Sequence, residues 1–182
     1  MKKMDDYSGK FVPNLKLHDF SSNALAELLT LYAKLYLAMD ASWYLAVKGR
    51  LGNQEALACD LQAWESMCKY EMAMIKRRLK IRGNDVISFM KATQVCPWFQ
   101  LIESKIEING KNSARLTVTY CPTLNALEQE GTGREEQICN IVEPKIFKGC
   151  ASVFNPDIQV RCLKSPPRES KDDICCRWEF SL

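Results

Sequence analysis

The chain has 182 residues, with 25 basic and 22 acidic side chains and a formal net charge of +3. This near balance excludes the strongly basic surface that nucleic acid or an anionic membrane would attract, so we expect neither partner. The chain has nine cysteines but only one histidine, His18, which lies in a polar N-terminal stretch. Ser–His–Asp triads, Cys–His dyads and multi-histidine zinc sites therefore have almost no histidine to use. Any chemistry has to come from thiols, carboxylates and the backbone.

The cellular compartment is indicated by the N-terminus and the cysteines. The first six residues, MKKMDD, carry charges where a secretory signal would be apolar. No uncharged apolar stretch reaches the ~18 residues that a membrane-spanning helix needs. The number of cysteines is odd, and their density is below that of a small disulfide scaffold. These features predict a cytoplasmic protein with reduced thiols.

Helical spacing of apolar residues dominates the first half of the chain. After a loosely ordered leader over residues 1–20, this spacing predicts helices over 22–47 and from 53 to the basic run at 76–82. A third, short helix is predicted over 85–93. The basic run is able to contact phosphates, but cations at a helix C-terminus are also expected from the helix dipole, so its role stays open.

After residue 97 the pattern changes to the alternation of strands, with a turn signal in the sequence NGKN at 109–112. The strands are predicted over 98–109, 113–120, 158–163 and 174–180. Between the two pairs of strands we expect a helix over 122–131 and another from 134 onward. Pro144 should interrupt or restart this last helix, because proline lacks the N–H that a helix interior uses.

This order of elements predicts an α+β domain over residues 21–182. The N-terminal helices and the further helices should pack on one four-stranded antiparallel sheet made of two hairpins.

Alternation also assigns the cysteines of the last two strands to faces. Cys162 shares a face with Val160, and Cys176 shares one with Trp178. Apolar faces should turn toward the core, so we expect Cys162 and Cys176 to point inward as neighbours and Cys175 to point outward.

Two further thiols occupy positions that suit chemistry. Cys139 and Glu143 are four residues apart on a helix, hence on one face, and would form either a nucleophile with its base or two metal ligands. Cys121 lies where a strand meets a helix, and a helix N-terminus lowers the pKa of a thiol. A core-filling role is the alternative for each of these cysteines, since cysteine is among the most buried residue types. No C-x-x-C pattern supports a metal site.

Asp40 and Trp43 form a candidate cofactor- or ligand-binding pair. Asp40 lies in an otherwise apolar helix, and perturbed carboxylates mark functional sites. A buried carboxylate with a structural partner is the alternative.

An ordered series of short motifs runs along the chain. It consists of DxxW at 40–43, DxxxW at 60–64, CP at 121–122, NAL at 125–127, Cys139, IVE at 141–143, NPDI at 155–158, RC at 161–162, PP at 166–167 and CxWEF at 176–180. In the second half this series resembles the L-2-amino-thiazoline-4-carboxylate hydrolase-like family. Over about residues 24–182 it resembles more closely a group of bacterial and archaeal cytosolic proteins near that family.

The resemblance implies a fold similar to the vinyl-reductase-like ligand-binding domains. It also implies a hydrolase that opens a small cyclic C–N substrate of the aminothiazoline type. In such an enzyme Cys139 or Cys121 would attack with Glu143 as base. Alternatively, zinc or iron held by thiolates would activate water, lowering its pKa toward ~7. The thiolate set would be Cys121, Cys139, Cys162 and Cys176.

Two other functions remain open from the sequence. Four thiolates would close a zinc site and leave no position for water, which favours a structural metal or a non-catalytic sensor domain that binds a small molecule or a metal. The second open function is that of an interaction protein, which would form a homodimer through the N-terminal helices.

Overall fold

The structure is a computed structural model that describes residues 3–182. Its first residues, up to Ser21, are mostly irregular and exposed, with a short 3-10 helix at Leu17–Asp19 and a bridge between Met4 and Phe20. The domain boundary near residue 20 stays a prediction.

A helical hairpin begins the regular fold. Helix α1 (Ser22–Leu51) is capped at its N-terminus by Ser21, whose hydroxyl accepts a hydrogen bond from the Ala24 N–H at 3.3 Å. Gly52 separates α1 from α2 (Asn53–Arg78) and has a φ of +90°. Side chains with a Cβ rarely adopt this φ, so glycine permits the abrupt reversal between the two helices.

Helix α3 (Val86–Thr93) follows, capped by the Asp85 carboxylate, which accepts from the Ser88 N–H at 2.8 Å. The predicted strand 98–109 is wrong over its first residues, because Trp98–Leu101 form a 3-10 helix. Pro97 has a helical φ of −53°, and its carbonyl accepts from the Gln100 N–H, so a turn forms where apolar alternation suggested extended chain.

The sheet confirms the predicted α+β class and the two hairpins. Its strands are β1 (Glu103–Ile108), β2 (Ser113–Tyr120), β3 (Gln159–Lys164) and β4 (Cys176–Ser181). Their order is β1-β2-β4-β3, and every neighbouring pair is antiparallel. Strand β4 is therefore central, and β3 is an edge strand.

Between the hairpins lie α4 (Pro122–Glu130), α5 (Arg134–Gln137), a π-helical segment (Ile138–Val142) and α6 (Glu143–Ser152). The last three form one continuous rod. In the π-helical segment the Glu143 N–H donates to the Ile138 carbonyl, five residues back. Pro144 has no N–H with which to continue the α-helical hydrogen bonds. The predicted interruption at Pro144 is therefore a wider, π-helical turn just before it, and the chain stays helical on both sides.

The core lies between one face of the sheet and helices α3 and α6. Phe147 on α6 packs against Trp178 and Phe180 of β4, with ring centroids 4.9 and 5.5 Å apart. Phe89 on α3 lies 5.2 Å from Phe180. This aromatic cluster holds α6 and β4 in fixed positions, and both elements also border the site described below.

Helix α1 leaves large apolar side chains in contact with solvent. Leu29, Leu35 and Met39 are 67, 54 and 71% exposed. The homodimer through the N-terminal helices stays a prediction. Within residues 3–182, no helix has both the length and the apolar character needed to cross a membrane.

Candidate functional site

A cavity of about 780 Å³ separates the helical hairpin from the sheet and from the rod formed by α5, the π-helical segment and α6. Small-molecule sites in proteins have volumes of ~300–1,000 Å³ and mostly apolar walls. Most of the walls here are apolar or aromatic. The apolar lining residues include Leu37, Trp64, Trp98, Leu116, Val118, Leu127, Ile138, Val142, Ile146 and Trp178.

Most of the candidate residues from the sequence line this one cavity. They arrive from α1, the β2–α4 junction, the π-helical segment, the start of α6 and the start of β4. These residues are Asp40, Cys121, Cys139, Glu143 and Cys176. The fold therefore brings together groups that are up to 136 positions apart in the sequence, from Asp40 to Cys176.

Trp43 lies away from the cavity, although Asp40 is on the same helix. Its side chain is 41% exposed and does not contribute to the lining. Trp64 of α2 is the tryptophan that contacts Asp40, donating from Nε1 to Asp40 Oδ1 at 3.0 Å. Asp40 of α1 therefore pairs with Trp64 of α2, and not with Trp43 as the sequence predicted.

The prediction that Cys162 is a buried neighbour of Cys176 is wrong, although Cys162 does share the sheet face of Val160 and Trp178. Cys162 is exposed on the edge strand β3, and its partner across the ladder is Trp178. A register irregularity follows between Cys162 and Lys164, and the thiol donates to the Lys164 carbonyl at 3.3 Å. The hairpin loop sets this register, and strand alternation alone does not contain it.

The prediction that Cys175 points outward is also wrong. Cys175 is 1% exposed and lines the cavity. It precedes β4, so strand alternation does not apply to it. Its N–H donates to the Val118 carbonyl at 2.8 Å and its thiol to the Thr119 carbonyl at 3.3 Å, which together hold the side chain inside.

Asp60 is a site residue that sequence reasoning did not select. It lies on α2 one turn before Trp64, is 4% exposed and lines the cavity. Its Oδ1 atom is buried and has no hydrogen-bond partner. A signal was present in the sequence, since Asp60 occupies the buried face of α2 between Ala56 and Trp64, where a carboxylate is unexpected.

Asp40, Asp60 and Glu143 form a carboxyl trio, a name used below for these three side chains. Burial raises the pKa of Asp60 to about 7; repulsion from Asp40 adds to the shift, and Arg134 opposes it. Burial also raises the pKa of Glu143 to about 7, with repulsion from Asp60 and Asp40 adding to it. Burial also raises the pKa of Asp40, although the hydrogen bond from Trp64 lowers it in part. Asp60 and Glu143 therefore change protonation near neutral pH and titrate as interacting groups.

Arg134 supplies a cationic group to the wall, but its charge is already paired. Its guanidinium donates twice to Glu130, at 2.8 and 2.5 Å, and packs over the Tyr44 ring at 4.5 Å. Lys48 binds the same carboxylate at 2.5 Å. Within residues 3–182 no member of the carboxyl trio forms a salt bridge, although the charge of Arg134 lowers the pKa of Asp60.

The thiols of the cavity are held in the protonated form. Burial raises the pKa of Cys139 far above its usual range, and Glu143 adds to the shift. Burial likewise raises the pKa of Cys176. For Cys121, burial raises the pKa to about 11, although the Leu124 N–H of the helix N-terminus donates to its sulfur at 3.5 Å. The predicted activation of Cys121 by the helix N-terminus is wrong, because desolvation outweighs that hydrogen bond.

The thiolate metal set is not assembled. Cys162 lies outside the cavity, while Cys121, Cys139 and Cys176 line it. In the part of the chain from residue 3 to 182, no group of three or more His, Cys, Asp or Glu side chains is arranged to hold a metal ion. Zinc or iron bound through thiolates gains no support from this geometry.

The fold and the site define a class: a small α+β protein whose helices and sheet enclose a large apolar cavity with a carboxyl trio on its wall. The chain belongs to the family described as "Family of unknown function (DUF6125)", whose model matches residues 18–182. Comparison with curated proteins and with solved structures gives no match.

Proposed function

We propose that the protein binds a small organic molecule in its cavity. The observation that carries this proposal is the buried Asp60 carboxyl, with Oδ1 unpartnered, on the wall of a cavity of about 780 Å³. A buried polar atom without a partner costs about 1–3 kcal/mol, and apolar walls without a neighbour lose dispersion contacts. A ligand with an apolar body and a hydrogen-bond donor would offset both costs.

The experiment is a binding screen with apolar compounds that carry one polar group, followed by titration calorimetry. The variant Ala126→Phe adds bulk to the lining and should abolish binding or weaken it by about tenfold or more. The matched control is Ala73→Phe, at an exposed position of α2 outside the lining. Equal binding by both variants would show that the ligand does not occupy the cavity.

A second candidate function is hydrolysis of a cyclic C–N substrate, as the sequence resemblance implies. One observation favours it: Glu143, whose pKa is raised to about 7 by burial, lines the cavity that would hold the substrate. A carboxyl with a pKa near the working pH suits general acid–base catalysis. Its carboxylate would take a proton from water while the water oxygen bonds to the electrophilic ring carbon. The leaving ring atom would then receive that proton as the ring opens.

In this hydrolytic scheme Cys139 does not act as the nucleophile, because its raised pKa keeps the thiol protonated. Ring-opening assays on a panel of aminothiazoline-type compounds test the scheme. Turnover should be lost in Glu143→Gln and kept in Cys139→Ser. Absence of turnover across the panel would leave binding as the function.

We also propose a cytoplasmic location. All nine cysteines are free, and four of them, Cys68, Cys96, Cys150 and Cys175, are buried in the core cluster. Reduced thiols persist in the cytoplasm and are unusual in secreted proteins. Thiol counting on protein taken directly from cells, with alkylation at lysis, should find nine reduced cysteines.

A further inference from the structure

We propose that the ligand of this cavity is an organic cation, an ammonium group on an apolar body, and that its charge binds at the carboxyl trio. This inference rests on the proposed binding function and specifies its ligand class. It is carried by a cavity, a set of charges and a buried unpartnered atom, which are independent features of the structure.

The charge of the cavity wall is the first step. Four carboxyl groups line the cavity: Asp40, Asp60, Glu130 and Glu143. Glu130 forms two salt bridges of 2.5 Å, with Arg134 and with Lys48, and Arg134 is the one basic residue of the lining within residues 3–182. Of the other three, Asp40 raises the pKa of Asp60, and both of these aspartates raise the pKa of Glu143. Such a wall repels an anionic ligand and stabilises a cation.

The unpartnered oxygen of Asp60 is the second step. Asp60 is 4% exposed, so bulk water is largely excluded from it, and its Oδ1 atom lacks a hydrogen bond inside the protein. An ammonium group has three donors and no acceptor, so it would supply the hydrogen bond that Asp60 Oδ1 lacks. Asp40 is held in place by Trp64, so one member of the trio is already oriented.

The composition of the walls decides between an organic cation and a metal ion. No set of three or more potential ligands within residues 3–182 has the arrangement of a metal site. Aromatic and aliphatic side chains line the same cavity as the trio, among them Trp64 and Trp98. Aromatic faces stabilise organic ammonium groups, and apolar walls stabilise the body that carries them.

Protons should be released when the cation binds. A positive charge beside the trio favours the ionised carboxylates, so affinity should rise from pH 6 to pH 8, while an alkylammonium with a pKa of ~10 stays charged. The other titratable groups that line the cavity are Tyr44 on α1, Glu130 on α4, Arg134 on α5, Cys139 on the π-helical segment, and Cys121, Cys175 and Cys176 beside the sheet. The paired Arg134 and Glu130 stay charged, and the thiols stay neutral, over this pH range.

The experiment compares three probes with one apolar body: 2-phenylethylamine, 2-phenylethanol and 3-phenylpropionate. Binding is measured at pH 8 by titration calorimetry and by the fluorescence of the lining tryptophans. We expect the amine to bind about tenfold more tightly than the alcohol, and the carboxylate to bind most weakly. Calorimetry in buffers of different ionisation enthalpy should detect proton release with the amine and none with the alcohol.

Two charge variants locate the subsite. Asp60→Asn should reduce the preference for amine over alcohol by about tenfold without weakening the binding of the alcohol. Asp40→Asn removes the charge of Asp40 while it keeps an acceptor for the Trp64 N–H. The control is Asp172→Asn, at an exposed loop position outside the lining, which should leave the preference unchanged. An unchanged preference in both trio variants would overturn the assignment.

The outcomes separate this inference from the proposed function. Equal affinity for amine and alcohol, with both lost in Ala126→Phe, overturns the cation subsite and leaves the binding function standing. Binding of the carboxylate alone does the same. Binding of none of the three probes also overturns the cation inference, and the wider compound screen then decides the proposed function by itself.

Discussion

The aromatic core and the cavity lie side by side and share Phe147 and Trp178, yet they are built differently. On the core side, rings of Phe89, Phe147, Trp178 and Phe180 contact one another at 4.9–5.5 Å. On the cavity side, the same elements border about 780 Å³ of space with a carboxyl trio on its wall. Aromatic rings fill the core, whereas the cavity leaves room for another molecule.

The core stabilises the folded protein, whereas the carboxyl trio on the cavity wall destabilises it. Burying an aromatic ring stabilises the fold, whereas burying a carboxyl without a partner destabilises it by about 1–3 kcal/mol. Groups that destabilise the fold in this way are found mainly where they serve a function, and buried groups with perturbed pKa values cluster at functional sites. Substitutions on the two sides should therefore act in opposite directions.

The largest effect should come from the core. Phe180→Ala removes a ring that is 0% exposed and contacts Phe89 and Phe147, so the free energy of unfolding should fall by about 3–5 kcal/mol. Urea denaturation followed by far-UV circular dichroism measures the loss. Leu163→Ala, on the exposed edge strand, is the control and should cost less than about 1 kcal/mol. A loss below 1 kcal/mol for Phe180→Ala would contradict the assignment of the core.

The second effect should have the opposite sign. Burial raises the pKa of folded Asp60 to about 7, above its unfolded value of ~3.9, so its contribution to stability is greatest in acid and is lost as the pH rises toward and through 7. Asp60→Asn removes this loss and should stabilise the ligand-free protein by about 2 kcal/mol at pH 8, with little change near pH 4. Thermal and urea unfolding at both pH values measure the difference.

The matched control for this comparison is Asp172→Asn, which should leave stability unchanged at both pH values because Asp172 is exposed. If Asp60→Asn were destabilising at pH 8, Asp60 would have a favourable partner in the ligand-free protein, and the contrast between core and cavity would be lost.

The third effect concerns the rates at which the thiols react. Cys162 is exposed, whereas burial raises the pKa of Cys139 and holds that thiol inside the cavity. Iodoacetamide at pH 7.5 should alkylate Cys162 at least about tenfold faster than Cys139, since the thiolate is the reactive form. Peptide mass spectrometry over a time course measures both rates. Faster modification of Cys139 would restore it as a candidate nucleophile.

The smallest effect should come from filling space at the cavity. Ala126→Phe places a ring on the lining, where there is room, and should change the free energy of unfolding by less than about 1 kcal/mol. Ala151→Phe, at a core position that is 0% exposed, should cost about 1–3 kcal/mol or more because the core has no such space. Comparable losses for the two variants would mean that the cavity wall is as tightly packed as the core.

Local pattern predicted most of the secondary structure, because helices and strands repeat with fixed periods. The start of α1 at Ser22, the turn before α2 and the whole of β2 agree with the prediction, as does the arrangement of two antiparallel hairpins. The pattern failed at Trp98–Leu101, where a turn beginning at Pro97 was read as a strand. It also placed Cys175 on the wrong side, because Cys175 lies before the strand whose alternation was applied to it.

At the site, residue types and their spacing were enough to predict which side chains carry chemistry and which of them share a face. A single histidine excluded histidine chemistry, and the spacing of Cys139 and Glu143 placed both on one helical face, which the structure turns toward the cavity. The tertiary structure alone decided which faces meet. It brought Asp60 and Asp40 from two helices to Glu143 and put Cys162 on an open edge. Side-chain periods act over a few residues, whereas burial and charge repulsion depend on distances through space, so the pKa values and the carboxyl trio arise only once the helices pack against the sheet.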